Sequence, residues 1–195
     1  DGGYDAPTYR KFDLHALVRG YDAVLYVDTD VLVDPDAPDI MAEARPGEVL
    51  ARVEVLEFHR ASMEGLLRRY HGKDLRPLTP GIFNMETWDG QYFNAGVILT
   101  CGDVLFGELP PRVREDALHG EPINEQNLNN LVRIAKGLSL RHIENPFNSY
   151  RTRPGDGSGG FFHHYVYMSN RMELIPGDAR RLASERGVAL PDDIV

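Results

Sequence analysis

Two aspartates, Asp28 and Asp30, lie two residues apart at the end of the apolar run Ala23 to Val27. The run has the length and β-branched composition of a strand buried on both faces of a parallel sheet. Alternate side chains of a strand point to the same side, so we expect both carboxylates to meet one ion in the crevice at the carboxyl ends of the strands. Two hard oxygen donors suit Mg²⁺ or Mn²⁺, which bridge to phosphate oxygens and neutralise a leaving diphosphate. Asp-rich turns after strands are also common, and the rest of the sequence has to decide between the two interpretations.

Helical and strand patterns alternate around this pair, which is typical of an α/β layer fold. The clearest helix is expected after Asn124, whose side chain can cap it, with Glu125 in the first turn and Gly137 as its stop. Long irregular connections are expected over 73–91 and 150–160. The predicted helices span 6–20, 62–70 and 124–136, and the predicted strands span 23–27, 49–55, 92–100 and 161–168.

Length and composition limit the class of protein. With 195 residues and 42% hydrophobic residues, we expect one well-cored domain over 1–195. The net charge of -9 disfavours nucleic acid and anionic membranes as partners. No apolar run approaches the length of about 18 residues that a membrane span requires. The lone Cys101 cannot form an internal disulfide, so a reducing cytoplasm is the default expectation.

Five short motifs follow one another between Pro7 and Tyr165. They are the helical stretch Pro7 to Phe12, the Asp-x-Asp run Tyr21 to Val33, the strand Tyr92 to Val97 with its Phe-Asn-Ala-Gly-Val core, the pair Glu125-Gln126 followed by Asn130, and the strand Phe162-His163-His164-Tyr165. In this order they resemble the motifs of glycosyltransferase family 8 and its relatives of the GT-A fold. The ordered set is far more specific than any single motif. The expected fold is therefore α/β, a GT-A-like mixed sheet flanked by helices.

The resemblance implies a metal site built from three residues. Asp28 and Asp30 would supply its carboxylates, and the His of the last strand would be the third ligand. That residue is His164, because it directly precedes the aromatic residue, whereas His163 would point to the opposite face of the strand. The expected ion is Mn²⁺ or Mg²⁺.

The resemblance also implies a donor site for a nucleotide diphosphate sugar, with a UDP-sugar as the expected donor and a hydroxyl-bearing acceptor as the second substrate. Lys11 would lie against the donor together with Asp28 and Asp30, and Asn94, Glu125 and Gln126 would line the sugar. These three residues are the expected catalytic set, with Gln126 near the anomeric carbon. Family 8 further implies transfer with retention of the anomeric configuration.

The sequence departs from the family's pattern at three places. Glu125 stands where the family has the shorter Asp before Gln. The Gly and Lys-Pro-Trp element expected after Tyr165 is missing, and Arg171, the nearest cation, is out of register. The first strand and base pocket that precede the Asp-x-Asp helix in these families are not found, so we expect the domain to be N-terminally incomplete.

Two other functions fit part of the sequence. The run Val27 to Leu32 also fits the nucleophile strand of haloacid-dehalogenase-type phosphatases, in which Asp28 would be phosphorylated and Asp30 would act as acid and base. Their remaining motifs are not found in order, and the closest second acidic pair, 192–193, lies in the tail. The third possibility is a non-catalytic sugar- or nucleotide-binding module.

Overall fold

A computed structural model describes residues 7–54, 57–102, 104–106, 108–118, 123–151, 160–166 and 170–190. The strands are β1 Ala23–Val27, β2 Val31–Val33, β3 Glu48–Glu54, β4 Tyr92–Cys101, β5 Ser139–His142, β6 Ser149–Tyr150 and β7 Phe162–His164. The α-helices are α1 His15–Val18, α2 Glu57–Tyr70, α3 Pro111–Leu118, α4 Glu125–Ala135 and α5 Arg171–Arg186. Short 3-10 helices cover Pro7–Leu14, Met41–Glu43, Met85–Thr87 and Asn145–Phe147.

The strands form two sheets, which we call the main sheet and the small sheet. The main sheet has the order β1-β4-β3-β5, with β4 antiparallel to both β1 and β3 and with β3 parallel to β5. The small sheet has the order β2-β7-β6. The fold is thus a mixed α/β fold with sheets flanked by helices, as the sequence predicts.

The prediction that β1 lies buried within a parallel sheet is wrong. β1 is the edge strand of the main sheet, pairs antiparallel with β4, and is half-buried along its whole length. The strand that is covered on both faces is β4, whose residues Tyr92 to Thr100 are all buried. A continuous apolar run therefore indicates a strand here but not its place in the sheet.

The two faces of the main sheet are covered differently. One face packs against α2 and α4 in the larger core, where Met63, Leu67, Leu128 and Leu131 are fully buried. The other face packs against the small sheet through a second core that includes Leu50, Val97, Leu99 and Phe162. Because β1 and β3 are both antiparallel to β4, their carboxyl ends lie at the same edge of the main sheet, which we call the rim.

The predicted helices differ from the observed ones mainly at the amino end of the chain. The expected helix 6–20 is mostly a 3-10 helix, and it ends before Gly20, whose φ of 89° requires the left-handed region. The helix predicted from Ser62 begins five residues earlier, at Glu57. The side chain of Asn124 caps α4 by accepting a hydrogen bond from the Asn127 backbone N–H at 2.7 Å, as expected.

Several predicted features lie outside the described residues. They are the first residue of the predicted helix 6–20, position 55 of the second strand, positions 167–168 of the last strand, most of the connection 150–160, and the acidic pair 192–193. Within the described part of the chain, no helix combines the length and the apolar character needed to cross a membrane.

Candidate active site

The Asp28-Thr29-Asp30 triplet forms the tight turn between β1 and β2. The Asp28 N–H donates to the Gly96 carbonyl at 2.8 Å, which extends the β1–β4 ladder by one residue, and the Val31 N–H closes the turn on the Asp28 carbonyl at 3.1 Å. The expectation that strand alternation aligns the two carboxylates is therefore wrong, since Asp30 lies in the turn. The turn links an edge strand of the main sheet to the small sheet, and both carboxylates lie at that junction.

His164 reaches the two aspartates through the pairing of β7 with β2. The register places His164 opposite Val31, and the next residue, Tyr165, donates its N–H to the Asp30 carbonyl at 3.0 Å. His164 Nε2 lies 3.5 Å from Asp30 Oδ1. One ligand atom from each of Asp28, Asp30 and His164 lies within 4.8 Å of the others.

The predicted choice between the two histidines agrees with this geometry. His164 faces Asp30, whereas His163 lies on the other face of β7, where its Nδ1 is 3.0 Å from Arg151 Nη2. Burial lowers the pKa of His163, and the Arg151 charge lowers it further, so this imidazole is neutral and belongs to the interior. Only His164 is available to the aspartates.

Gly96 makes room for the imidazole of His164. A Cβ built on Gly96 would lie 2.1 Å from His164 Cε1 and 2.8 Å from each ring nitrogen. The φ of Gly96 is not in the left-handed region, so close approach alone accounts for glycine here. The imidazole therefore lies directly on the β4 backbone.

Lys11 occupies a buried position beneath Asp28. Its Nζ lies 2.6 Å from Glu125 Oε1, 3.4 Å from Asp28 Oδ1 and 4.8 Å from the centroid of the Tyr26 ring. Lys11 is only 4% exposed, so it is an internal cation paired with two carboxylates. The predicted contact of Lys11 with a donor stays a prediction.

Tyr26 donates its hydroxyl to Asp28 Oδ1. Burial raises the pKa of Tyr26, and the charges of Asp28, Glu125 and Asp30 raise it further, so the phenol stays protonated and acts as a donor. The oxygen Oδ1 of Asp28 is thus engaged by Tyr26 and Lys11.

Asp30 lies between His164 and Arg171. Burial by itself raises the pKa of this carboxyl, but the neighbouring His164 and the charge of Arg171 outweigh it, so the pKa lies below its ordinary value. Arg171 Nη1 lies 3.2 Å from Asp30 Oδ2, and its side chain is 47% exposed. Arg171 therefore reaches the site from the first turn of α5, although it is out of register in the sequence motif.

The predicted sugar-side residues divide into two groups. Glu125 belongs to the Lys11 cluster, whereas Gln126 belongs to a hydrogen-bonded chain with Asn94. Gln126 Oε1 accepts from Asn94 Nδ2 at 3.2 Å and from the Ala95 N–H at 3.3 Å, and Gln126 Nε2 donates to Glu54 Oε2 at 3.1 Å. These hydrogen bonds fix the orientations of the buried Asn94 amide and the half-buried Gln126 amide.

The sequence analysis did not identify three residues of this site, Tyr26, Glu54 and Asn148, and it named Arg171 only as a cation out of register. Tyr26 carries a signal, since it precedes Asp28 by two residues. Glu54 is the last residue of β3, which lies next to β4 in the main sheet. Its position at a strand end could have indicated that it belongs to the site. Asn148 and Arg171 reach the site only through the small sheet and α5, and their local sequence carries no such signal.

Comparisons with known proteins bear on the fold. The sequence matches no protein-family model and no curated protein. The structure is similar to that of WbbM, a bifunctional glycosyltransferase in its apo form, with a TM-score of 0.51 and 15% identity over 92% of this chain. It is also similar to mouse xyloside xylosyltransferase 1 in its apo form, with a TM-score of 0.46 and 12% identity over 84% of this chain.

The chain spans 37% of the length of WbbM and 64% of that of the mouse enzyme. At 15% identity the likeness to WbbM shows only that the two chains share a fold. Membership of family 8 stays a prediction.

Proposed function

We propose that this protein transfers a sugar from a nucleotide diphosphate sugar, a UDP-sugar in the first instance, to an acceptor hydroxyl with the help of a divalent cation. The observation that carries the proposal is the cluster of Asp28, Asp30 and His164, whose ligand atoms lie within 4.8 Å of one another at a strand-end rim. This cluster occurs in a chain with the fold of a glycosyltransferase. Fold alone does not imply function, so the proposal depends on the site.

The donor set of the cluster fits Mn²⁺ or Mg²⁺. Two carboxylates and one imidazole combine the hard oxygen ligands that these ions prefer with a nitrogen ligand that Mn²⁺ accepts. A cation held there would act as a Lewis acid that stabilises negative charge on the leaving diphosphate. Three protein ligands leave coordination positions for phosphate oxygens.

The charge around the cluster also supports a cation. With a neutral imidazole at His164, the three carboxylates of Asp28, Asp30 and Glu125 face only the two positive charges of Lys11 and Arg171, so the group carries a net charge of -1. The half-exposed Arg171 is free to exchange its contact with Asp30 for a contact with phosphate once the carboxylate binds a cation. We assign Arg171 the role of a diphosphate ligand.

The sugar is proposed to lie along Asn94 and Gln126. Both amides are held in place before any ligand arrives: the Gly96 N–H binds Asn94 Oδ1 at 3.0 Å, and the Ala95 N–H binds Gln126 Oε1 at 3.3 Å. A preorganised amide costs little reorganisation when it binds a sugar hydroxyl. The resemblance to family 8 supports retention, which an NMR spectrum of the product anomer would test.

A turnover assay tests the proposal. The protein is incubated with Mn²⁺, a panel of nucleotide sugars and simple glycoside acceptors, and release of the nucleoside diphosphate is measured. We expect at least one donor to be turned over with Mn²⁺ and none with excess chelator. Asp30→Asn should abolish the activity, whereas Asp22→Asn, an exposed aspartate before β1, should retain it.

The same samples separate the alternatives. Phosphate release from a phosphomonoester that is lost in Asp28→Asn would support the phosphatase. Binding of nucleotide sugars with Mn²⁺ but without any turnover would support the non-catalytic module.

A further inference from the structure

We infer that Asn148 is a positioning residue that fixes the tautomer of His164, holding hydrogen on Nδ1 and leaving the Nε2 lone pair for the cation. The inference deepens the proposed function, because it concerns the metal ligand set of the same site. Asn148 is 0% exposed, and its Oδ1 lies 3.1 Å from His164 Nδ1. No sequence motif points to Asn148.

The direction of this hydrogen bond follows from two backbone groups. A backbone N–H can only donate, so the side-chain atom bound by the Gly96 N–H at 3.0 Å is the oxygen of Asn94. By the same argument, the atom bound by the Ala95 N–H is the oxygen of Gln126, and the nitrogen of Asn94 faces that oxygen at 3.2 Å. The orientation of both amides is thereby fixed.

The orientation of the Asn94 amide determines that of the Asn148 amide. Asn94 Oδ1 is an acceptor, so the group of Asn148 that lies 3.2 Å from it is the amide nitrogen. The oxygen of Asn148 consequently faces His164. Since that oxygen can only accept, His164 Nδ1 has to donate and therefore carries the hydrogen.

Asp30 favours the opposite arrangement. Its Oδ1 lies 3.5 Å from His164 Nε2, and a carboxylate there stabilises hydrogen on that nitrogen. A neutral imidazole has one hydrogen, so Asn148 and Asp30 compete for it from opposite ends of the ring. In the tautomer that Asp30 favours, Nε2 has no lone pair for a metal. Without Asn148, the aspartate that should share the ion would instead block the histidine.

The main chain around Asn148 is held in place by several contacts. Arg52 Nη1 donates to the Asn148 carbonyl at 2.6 Å, and the Arg52 guanidinium lies 3.6 Å from the centroid of the Tyr150 ring. The two residues after Asn148 form β6, which pairs in parallel with His163 and His164 of β7. Asn148 therefore directly precedes a strand that pairs with the strand of His164.

The first experiment measures the tautomer in the metal-free protein. Nitrogen-15 NMR on histidine-labelled protein at about pH 8, above the ordinary histidine pKa of ~6.5, distinguishes protonated from unprotonated ring nitrogens. We expect hydrogen on His164 Nδ1 in the parent protein and in Asn148→Asp, which keeps an acceptor oxygen. We expect hydrogen on Nε2 in Asn148→Leu, which fills similar volume without an acceptor. Hydrogen on Nε2 in the parent would overturn the inference without any variant.

The second experiment measures Mn²⁺ affinity by calorimetry. Loss of the outer partner of a metal-binding histidine typically weakens metal binding about 10- to 100-fold, and we expect a loss of that size in Asn148→Leu. The Mn²⁺ affinity of Asn148→Asp should stay within about threefold of that of the parent, because an acceptor oxygen is retained. A purely structural role of Asn148 does not predict this rescue. The matched control is Asn129→Ala, another fully buried asparagine, whose amide contacts the Glu125 carbonyl and not His164.

The outcomes separate this inference from the proposed function. If the parent binds no Mn²⁺ but carries hydrogen on Nδ1, the tautomer assignment stands and the metal site is wrong. If the parent binds Mn²⁺ and both Asn148 variants lose affinity equally, the metal site stands and Asn148 is only structural. Should Asn148→Leu not fold, the tautomer of the parent and the affinity of Asn148→Asp decide the question.

Discussion

The contact between Gly96 and His164 gives the sharpest test of how the site is packed. In Gly96→Ala, the new Cβ would meet His164 Cε1 at 2.1 Å, and such contacts are essentially never closer than 3.0 Å. The ring therefore has to retreat by about 0.9 Å, which exceeds the roughly 0.5 Å within which a functional group must be held. We expect Mn²⁺ affinity to fall about 10- to 100-fold.

The same substitution should destabilise the metal-free fold. Overpacking a close-packed site costs about 1–3 kcal/mol, and urea unfolding of the metal-free protein measures it. In a His164→Ala background the clash is absent, so Gly96→Ala should then cost less than about 0.5 kcal/mol. Gly65→Ala is the matched control: an added Cβ there meets nothing within 4 Å, and the change should stabilise the helix by about 0.5–1 kcal/mol. Equal costs of Gly96→Ala with and without His164 would refute the reasoning.

Three further perturbations test other parts of the site and its support. Arg171→Ala should weaken Mn²⁺-dependent UDP binding about tenfold, which is the effect of one charge-assisted hydrogen bond. Binding of Mn²⁺ without UDP should not become weaker, because the arginine that competes for Asp30 is removed. Calorimetry with and without UDP distinguishes the two effects. Glu125→Gln should lower the free energy of unfolding by about 2 kcal/mol, since the buried Lys11 loses its shortest ion pair, and urea denaturation that shows no loss would contradict this. Burial by itself raises the pKa of Asp34, but the hydrogen bond from the Asp36 N–H and the contact with Arg186 outweigh it, so the folded-state pKa lies below its ordinary value. The stabilisation by Asp34 is therefore present above the unfolded pKa of about 3.9 and is lost as the pH falls through the lower folded pKa. We expect the free energy of unfolding, measured from about pH 5 to pH 2, to depend less on pH in Asp34→Asn than in the parent.

The parts of the fold set by local patterns were predictable from the sequence. Apolar periodicity together with Asn124 and Gly137 located α4, and the continuous apolar run located β4. Strand direction was not predictable in this way, because a run such as Ala23 to Val27 looks the same at the edge of a sheet as in its middle. Pairing partners depend on contacts between distant residues, which periodicity does not report.

The residues of the site also differ in how far the sequence predicts them. Asp28, Asp30 and His164 were found from motif order, and the pairing of β2 with β7 brings them together. Asn148 was not predicted, and Arg171 was noted only as a cation out of register, because the small sheet and α5 place these two residues at the site. The role of Asn148 can be recognised only in the structure, where the Gly96 N–H fixes the orientation of Asn94 and Asn94 in turn fixes that of Asn148.

We propose that Asp28, Asp30 and His164 hold a cation that binds a nucleotide diphosphate. Calorimetry of UDP binding, with and without Mn²⁺, tests it on the parent, on Asp30→Asn and on the exposed control Asp22→Asn. We expect UDP to bind the parent and Asp22→Asn only when Mn²⁺ is present, and we expect a folded Asp30→Asn protein to show no Mn²⁺-dependent binding. Undiminished Mn²⁺-dependent UDP binding by a folded Asp30→Asn protein would contradict it.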